Sequence, residues 1–132
     1  MKKIVLATLA YAVVTMLIAA PWHFIFFKDL YHSFGIYNRA EPIVPLGFLT
    51  MLIQGVILAY IYPRYYKGGS HFKESIQFSL LMGLFLYTIS TLANAAKIEV
   101  SPMGTWLAIQ AAFHLLQFLA CGFVLGFVYS RK

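Results

Sequence analysis

Charged side chains and cysteine are scarce in this sequence of 132 residues. Asp, Glu, Lys and Arg together make up 11% of it, less than half of the roughly 25% that is typical of soluble proteins. Cys121 is the single cysteine, which excludes a secreted domain held together by intrachain disulfides. The low polar content also excludes a disordered chain.

Apolar residues, by contrast, account for 61% of the chain before glycine is counted, against about 45–50% with glycine counted in soluble domains. A short chain leaves a large share of its surface exposed, so a water-facing globule of this size cannot bury so much apolar surface. The sequence therefore predicts a membrane protein whose main surroundings are lipids.

Four apolar runs are long enough to cross a bilayer, at residues 4–27, 43–62, 75–96 and 103–129. A helix of 20 residues rises about 30 Å, the thickness of the hydrocarbon core. Pro45 falls in the first turn of the second run, and Ser101-Pro102 is predicted to start the fourth as a hydroxyl cap followed by proline. With no internal repeat, we predict one domain, residues 1–132, folded as an all-α antiparallel bundle of four transmembrane helices.

The first run also resembles a signal peptide, since it follows two lysines and carries the small pair Ala19-Ala20. Pro21 would become the first residue after the cut, which disfavours cleavage, and the apolar run continues through Phe27. We therefore predict that this segment stays as the first membrane helix.

Lysine and arginine are divided unequally between the two sides of the predicted bundle. Because flanking positive charge resists translocation, the richer side, which holds both termini, is predicted to be cytoplasmic. Seven basic residues lie there (Lys2, Lys3, Arg64, Lys67, Lys73, Arg131 and Lys132) and three on the opposite side (Lys28, Arg39 and Lys97). Trp22 and Trp106 both fall at the outer interface, as membrane aromatic belts do. Topology and anionic lipid account for the net charge of +6, which gives no indication of nucleic acid as a partner.

Residues 28–42 form the predicted outer loop. Leu30, Tyr31, Phe34 and Tyr37 are spaced like one face of a helix that lies in the membrane interface. Two interpretations stay open: a connector anchored by its rings, or a lid over an outward-facing pocket.

Polar residues inside the spans fall on one face of each predicted helix. On the fourth helix, Gln110, His114, Gln117 and Cys121 follow one another at spacings of four, three and four. The other stripes are Thr8, Tyr11 and Thr15 on the first helix, Gly47, Thr50 and Gln54 on the second, and Ser79, Gly83, Tyr87, Ser90 and Asn94 on the third. We expect the four faces to converge inside the bundle.

These polar side chains admit two interpretations. Either they only hydrogen-bond across helices, or they line an intramembrane pocket that binds, and in one version transports, a small or amphiphilic ligand. An ionisable residue near mid-membrane indicates a functional site, and His114 and Gln54 lie at similar depths where they can meet. The predicted ligand-binding residues are His114, Gln110, Gln117, Gln54, Asn94 and Tyr87.

Catalysis has no positive support in the sequence. None of the four acids enters the middle of a span, which leaves no carboxylate for proton coupling or for an aspartyl protease. Cys121 and His114 are about 10.5 Å apart along one helix, beyond hydrogen-bond reach, and Ser90 lacks a glycine-flanked nucleophile turn. The four acids are Asp29, Glu41, Glu74 and Glu99. We predict no catalytic residue and no metal site, and the cofactor, if there is one, is unknown.

Self-association opens two further possibilities. A dimer would place two copies of His114 at equal depth, where they can ligate one haem, whereas His23 and His114 of one chain differ by about 10 Å in depth. Gly122 and Gly126 form a GxxxG spacing that lets two helix backbones approach closely. This pair is predicted either to join two copies or to pack within one chain.

Three segments, Trp22-His23-Phe24, Lys28-Asp29-Leu30-Tyr31 and Pro45-Leu46-Gly47, resemble small uncharacterised four-helix inner-membrane proteins of bacteria. The resemblance covers most of the chain and implies a multi-pass protein of the bacterial inner (cytoplasmic) membrane. That group has no assigned activity. A ligand-binding bundle is therefore our leading hypothesis, beside a structural accessory subunit of a larger membrane complex and a haem-binding dimer.

Overall fold

The computed structural model describes residues 1–131, and its regular structure is entirely helical. The α-helices are α1 (Lys2–Pro21), α2 (Lys28–Ser33), α3 (Val44–Tyr65), α4 (His71–Tyr87), α5 (Ala93–Ala95) and α6 (Met103–Ser130). Two π-helical segments, Trp22–Phe26 and Thr88–Leu92, extend α1 and α4. Four continuous helical stretches are long and apolar enough to cross a membrane: Lys2–Phe26, Val44–Tyr65, His71–Ala95 and Met103–Ser130. The prediction of four such helices is confirmed.

The third of these stretches begins at His71, four residues before its predicted start. Ser70 precedes the helix, and its hydroxyl accepts a hydrogen bond from the backbone N–H of Lys73 at 3.4 Å. The Glu74 carboxylate accepts two more, from the backbone N–H groups of Lys67 at 2.6 Å and Gly69 at 2.8 Å. These bonds close the turn between α3 and α4, because they satisfy donors that a helix start and a tight loop leave unpaired.

The fourth helix begins at residue 103, where the predicted span begins, but the predicted cap is wrong. The Ser101–Pro102 peptide bond is cis, the helix begins at Met103, and Pro102 occupies the cap position with no side chain capping the helix. Pro45 does lie in the first turn of α3, where its missing N–H costs no hydrogen bond.

The long helices pack in the spatial order α3, α1, α6, α4. Helix α1 packs against α3 and α6, and α6 packs against α4. Glycines allow these close approaches: a Cβ on Gly55 would lie 3.0 Å from the backbone oxygen of Thr8, and a Cβ on Gly122 would lie 2.7 Å from the Ile76 Cα. Helices α3 and α4 meet through aromatic rings near their connecting turn, with Tyr62 and Phe78 at 5.7 Å between ring centroids.

One end of the bundle, here called the terminal end, holds residues 1–4, 62–71 and 125–131. Lys3 donates hydrogen bonds to the carbonyls of Tyr129 and Arg131, which joins the start of α1 to the end of α6. Tyr62 is completely buried there, and its hydroxyl donates to the His71 carbonyl at 3.0 Å. All the long helices therefore meet at this end.

The opposite end, here called the distal end, holds residues 22–43 and 95–106. Tyr31 and Phe34 are buried against Val100 and Trp106, and the Trp106 indole N–H donates to the Tyr37 hydroxyl at 3.0 Å. Tyr31 and Phe34 thus pack onto the bundle, while Tyr37 stays exposed beside Trp106. Trp22 and Trp106 do lie at the same end, as the sequence predicts, but both indoles turn toward tyrosines of this segment.

Helix α3 changes character along its length. Its residues from Val44 to Thr50 are all exposed, whichever face of the helix they occupy, whereas Gly55, Leu58 and Ala59 are buried. The first two turns of α3 therefore stand away from the rest of the bundle.

Candidate functional site

Polar residues of three helices form one hydrogen-bonded group in the middle of the bundle. The Tyr11 hydroxyl donates to Gln54 Oε1 at 2.8 Å and accepts from Gln117 Nε2 at 3.3 Å. Gln117 Nε2 also reaches Thr15 Oγ1 at 3.4 Å, and Thr15 lies 3.7 Å from the Cys121 sulfur. The predicted stripes of α1 and α6 therefore do face each other, and Gln54 of α3 joins them.

A second polar group ties α6 to the distal end. The Tyr31 hydroxyl donates to Gln110 Oε1 at 2.5 Å and accepts from Trp22 Nε1 at 3.2 Å. Tyr31 and Gln110 are both buried. The spacing of Tyr31 predicts a helix face in the membrane interface, but it carries no signal for this contact with a residue that lies 79 positions later in the chain.

His114 belongs to a third group. Its Nδ1 lies 2.7 Å from the Gln110 carbonyl oxygen, and its Nε2 lies 3.3 Å from Ser90 Oγ. The expected pairing of His114 with Gln54 is not formed, because the hydrogen bond of Gln54 goes to Tyr11. His114 does face the interior, with 7% of its surface exposed.

Tyr87 and Asn94, the remaining predicted ligand-binding residues, flank this third group. The Tyr87 hydroxyl donates to the Leu107 carbonyl at 3.1 Å, and its ring meets the His114 ring edge-on at 5.8 Å. Asn94 is exposed and its Nδ2 donates to the Ser90 carbonyl at 2.7 Å. The six predicted residues are therefore distributed over three hydrogen-bonded groups, of which the second and third share Gln110.

The centre of the bundle is closely packed. Between Tyr11, Gly55, Ser79 and Cys121, the enclosed space has a volume of only about 10 Å³, room for about one water molecule. Tyr11, Thr15, Gln54 and Gln117 there bond to one another, which matches the interpretation that they hold the helices together. The buried hydroxyls of Thr8 and Ser79 find no hydrogen-bond partner among residues 1–131. The space for a ligand lies elsewhere, in cavities that open to the surface. One of about 360 Å³ lies at the turn between α3 and α4, and two others lie further along the bundle.

The larger cavity, here called the distal groove, has a volume of about 830 Å³ and lies between the end of α1, the 28–42 segment and the start of α3. Its size falls within the range of about 300–1,000 Å³ that is usual for ligand sites. Apolar walls are supplied by Phe24, Ile36, Pro42, Ile43 and Leu46, and the polar lining by His23, Lys28, His32, Tyr37, Asn38 and Arg39. The 28–42 segment therefore forms a wall of a cavity, as its interpretation as a lid requires.

The charged residues that line the distal groove are all positive. Lys28 and Arg39 contribute positive charge, and none of the residues that line the groove is an aspartate or glutamate. Burial raises the pKa of Tyr31 to about 12 and also raises the pKa of Tyr37, so both phenols stay neutral at physiological pH. The groove thus combines an apolar wall with a cationic rim.

The smaller cavity, here called the lateral cleft, has a volume of about 370 Å³ and lies between α4 and α6. Tyr87, His114 and Phe118 form its inner wall, while the exposed Leu84 and Leu115 flank its opening at the side of the bundle. Gly83 makes room for this arrangement, since a Cβ there would lie 2.7 Å from the Phe118 ring.

Gly122 and Gly126 face α4 of the same chain. A Cβ on Gly122 would lie 2.7 Å from the Ile76 Cα, and a Cβ on Gly126 would lie 3.0 Å from the Phe72 Cα. The Ser75 hydroxyl stabilises this contact by donating a hydrogen bond to the Gly122 carbonyl at 2.8 Å. Of the two alternatives for the GxxxG pair, the structure favours packing within the chain, and self-association through this face would require α4 to leave.

The haem alternative depends on a free ring nitrogen of His114. Both ring nitrogens lie within hydrogen-bonding distance of protein partners, and the buried imidazole would have to break its bond with Ser90 to reach an iron. Among residues 1–131, no three His, Cys, Asp or Glu side chains are placed to hold one metal ion together.

Comparison of the chain with protein-family models, with curated proteins and with solved structures finds no match.

Proposed function

We propose that this protein is a multi-pass membrane protein that binds an amphiphilic molecule with an anionic head group in the distal groove. The observation that carries the proposal is the combination of an apolar wall and a cationic rim in one cavity of about 830 Å³. A molecule with an acyl chain and a negative head matches both parts. The cavity lies toward the distal end of the bundle. The sequence pattern predicts it elsewhere, among His114, Gln110, Gln117 and Gln54.

The two halves of the ligand would have separate contacts. Lys28 and Arg39 are the charged residues that line the groove, and they would pair with a carboxylate or phosphate head. Ile43 and Leu46, on the first turns of α3, would contact the chain. Because these turns stand away from the bundle, the ligand can enter sideways from the lipid without unfolding a helix.

The distribution of basic residues supports an orientation for this groove. In this orientation both termini lie on the cytoplasmic side of a bacterial inner membrane. Arg39 and the distal groove would then face outward. Single cysteines at position 39 or 68, in a Cys121→Ser background, are treated in spheroplasts with a membrane-impermeant thiol reagent. We expect labelling at 39 and none at 68, and the reverse pattern would invert the topology.

Ligand binding is tested in nanodiscs with photoreactive lipids. The probes are diazirine analogues of palmitic acid, phosphatidylglycerol and phosphatidylcholine, so that a free fatty acid, an anionic phospholipid and a zwitterionic phospholipid are compared. We expect one or both anionic probes to crosslink to residues around Phe24, Ile43 and Leu46, with phosphatidylcholine at least about tenfold weaker, which corresponds to about 1.4 kcal/mol.

Charge reversal provides the matched control. Lys28→Glu with Arg39→Glu should remove most of the crosslinking to the anionic probe, whereas Lys97→Glu should not, because Lys97 lies at the same end of the bundle but outside the groove. Equal crosslinking of all three probes, or an equal loss in both variants, would contradict specific binding in the groove.

A second candidate, a subunit that associates with another membrane helix, is favoured by one observation. Gly104, Ala108 and Ala112 are spaced by four on α6 and are all exposed, and nothing lies within 4 Å of a Cβ built on Gly104. Small residues at this spacing allow helices to approach closely. Native mass spectrometry in mild detergent tests it: Ala108→Leu should lower the mass of a homo-oligomer or larger complex, and a monomer in both proteins would exclude it.

A further inference from the structure

The hydrogen bonds of His114 fix its tautomer. A backbone carbonyl can only accept, so the ring nitrogen that lies 2.7 Å from the Gln110 oxygen, Nδ1, carries a proton. In the neutral imidazole Nε2 is then a bare acceptor. The hydroxyl that lies 3.3 Å from Nε2, that of Ser90, must therefore be the donor.

This arrangement has the three parts of an activated nucleophile: a hydroxyl, a base that accepts its proton, and a group that orients the base. The three parts are Ser90, the imidazole of His114 and the backbone carbonyl of Gln110. We propose that Ser90 and His114 form a catalytic pair that cleaves carboxyl esters of membrane-dissolved acyl compounds. This activity is independent of ligand binding in the distal groove.

The surroundings of the pair define the substrate class. His114 and Tyr87 lie on the inner wall of the lateral cleft, and the rest of the cleft is formed by apolar residues and Gly83. Ser90 is half-buried and adjoins the cleft through its contact with His114. The cleft opens at the side of the bundle between Leu84 and Leu115, a surface that meets acyl chains if the four helices span a membrane. An ester with a long acyl chain can enter there, whereas a charged water-soluble substrate would lose its hydration.

Ser90 also has suitable neighbours. It lies in the π-helical segment Thr88–Leu92, a type of segment that often occurs at functional sites. Thr91 Oγ1 is 3.4 Å from Ser90 Oγ, and the Asn94 amide, which donates one N–H to the Ser90 carbonyl, has a second N–H. Both groups carry a proton that can be donated to a negative oxygen that develops beside Ser90.

The reaction balances without an oxidant or a metal. Ser90 Oγ attacks the carbonyl carbon of the ester while its proton moves to His114 Nε2, and the carbonyl electron pair moves onto oxygen. When the tetrahedral intermediate collapses, the bond to the alkoxy oxygen breaks and that oxygen takes the proton from His114. Water then repeats the sequence on the acyl-serine, which releases the carboxylic acid and restores the serine hydroxyl.

The test uses a fluorophosphonate with a reporter group on the full-length protein in detergent. An activated serine forms a bond to phosphorus and expels fluoride, which intact mass measures and peptide mapping locates. We expect labelling of the wild type at Ser90, none in Ser90→Ala, and at least a 100-fold slower rate in His114→Gln, since a general base contributes about 10²–10⁴-fold. Ser79→Ala is the matched control, because Ser79 is a buried serine of α4 and makes no hydrogen bond with a histidine.

Two measurements separate catalysis from a structural role. Thermal unfolding followed by tryptophan fluorescence checks that the variants stay folded, and added imidazole should restore labelling to His114→Ala by replacing the missing base. The proposal is overturned if the wild type is not labelled at Ser90, or if His114→Gln is labelled at the wild-type rate.

Discussion

The terminal and distal ends of this bundle are built from similar residues but pack differently. At the terminal end, Tyr62 is completely buried and contacts Phe78 and Tyr129 with ring centroids at 5.7 and 5.1 Å. At the distal end, Tyr31 and Trp106 are equally well buried, yet a groove of about 830 Å³ lies beside them. Aromatic content therefore does not decide which end is closed.

The difference arises from how many of the long helices pack together at each end. All four meet at the terminal end, where α3 and α4 are held together by a short turn that Glu74 closes. At the distal end α3 stands apart, and the part of the 28–42 segment that follows α2, in which Gly35 has a positive φ, spans the gap. A long connection lets two helices diverge, whereas a short connection does not.

The largest effect is expected from filling the contact between α4 and α6. Gly122→Leu or Gly126→Leu should lower the free energy of unfolding by about 3 kcal/mol, because the new side chain collides with the backbone of Ile76 or Phe72. Unfolding in mixed micelles followed by circular dichroism measures this. Gly104→Leu is the control, since nothing lies within 4 Å of a Cβ at that position. Unchanged stability together with a smaller oligomer mass would instead assign this face to self-association.

A smaller effect, confined to the distal end, is expected for Tyr31→Phe. The change leaves Gln110 Oε1 and the Trp22 indole N–H without their partner, which should cost about 2 kcal/mol. Both tryptophans of the chain lie at this end, so their fluorescence reports it directly. Tyr60→Phe, at an exposed site on α3, should leave the melting curve in place. A Tyr31→Phe protein that melts like the wild type would show that this hydrogen-bonded group does not hold the distal end.

Alkaline pH should loosen the distal end. The pKa of Tyr31 is raised to about 12, above the value of about 10 for an exposed tyrosine, so the fold favours the neutral phenol. Its contribution to stability is complete below pH 10 and is lost as the pH rises through 12. A tryptophan fluorescence titration should show a change between pH 10 and 12 that is smaller in Tyr31→Phe, in which Tyr37 beside Trp106 still ionises. The same change in both proteins would exclude Tyr31 as its origin.

The smallest effect is expected in the spread of distances across each end. Spin labels at positions 26 and 48, on opposite sides of the distal groove, should give a broader distance distribution than labels at 60 and 127 near the terminal end. The broad distribution should narrow when an anionic amphiphile is added. Equally narrow distributions at both ends without ligand would mean that the groove is rigid.

Much of this architecture follows from the sequence. Runs of apolar residues as long as a bilayer is thick require helices, because only an intrasegment hydrogen-bonding pattern satisfies the backbone there. The periodicity of Gln110, His114 and Gln117 also predicts that they share a buried face, and all three are buried. The start of α4 does not follow from hydropathy. It lies four residues before the predicted one, because Ser70 and Glu74 stabilise the first turn through side-chain hydrogen bonds.

Which polar residue meets which was decided only by the tertiary structure. Spacing along α6 places His114 and Gln110 on one face but does not specify the rotation or depth of the helices opposite. As a result, Gln54 pairs with Tyr11, and His114 with Ser90.

The position of the cavities was also decided only by the tertiary structure. The polar stripes predict a cavity in the middle of the bundle, but the large cavity lies at the distal end, where α3 diverges from the other helices. Periodicity fixes the face of a helix from local geometry alone, whereas contacts and cavities depend on how separate helices are placed relative to one another.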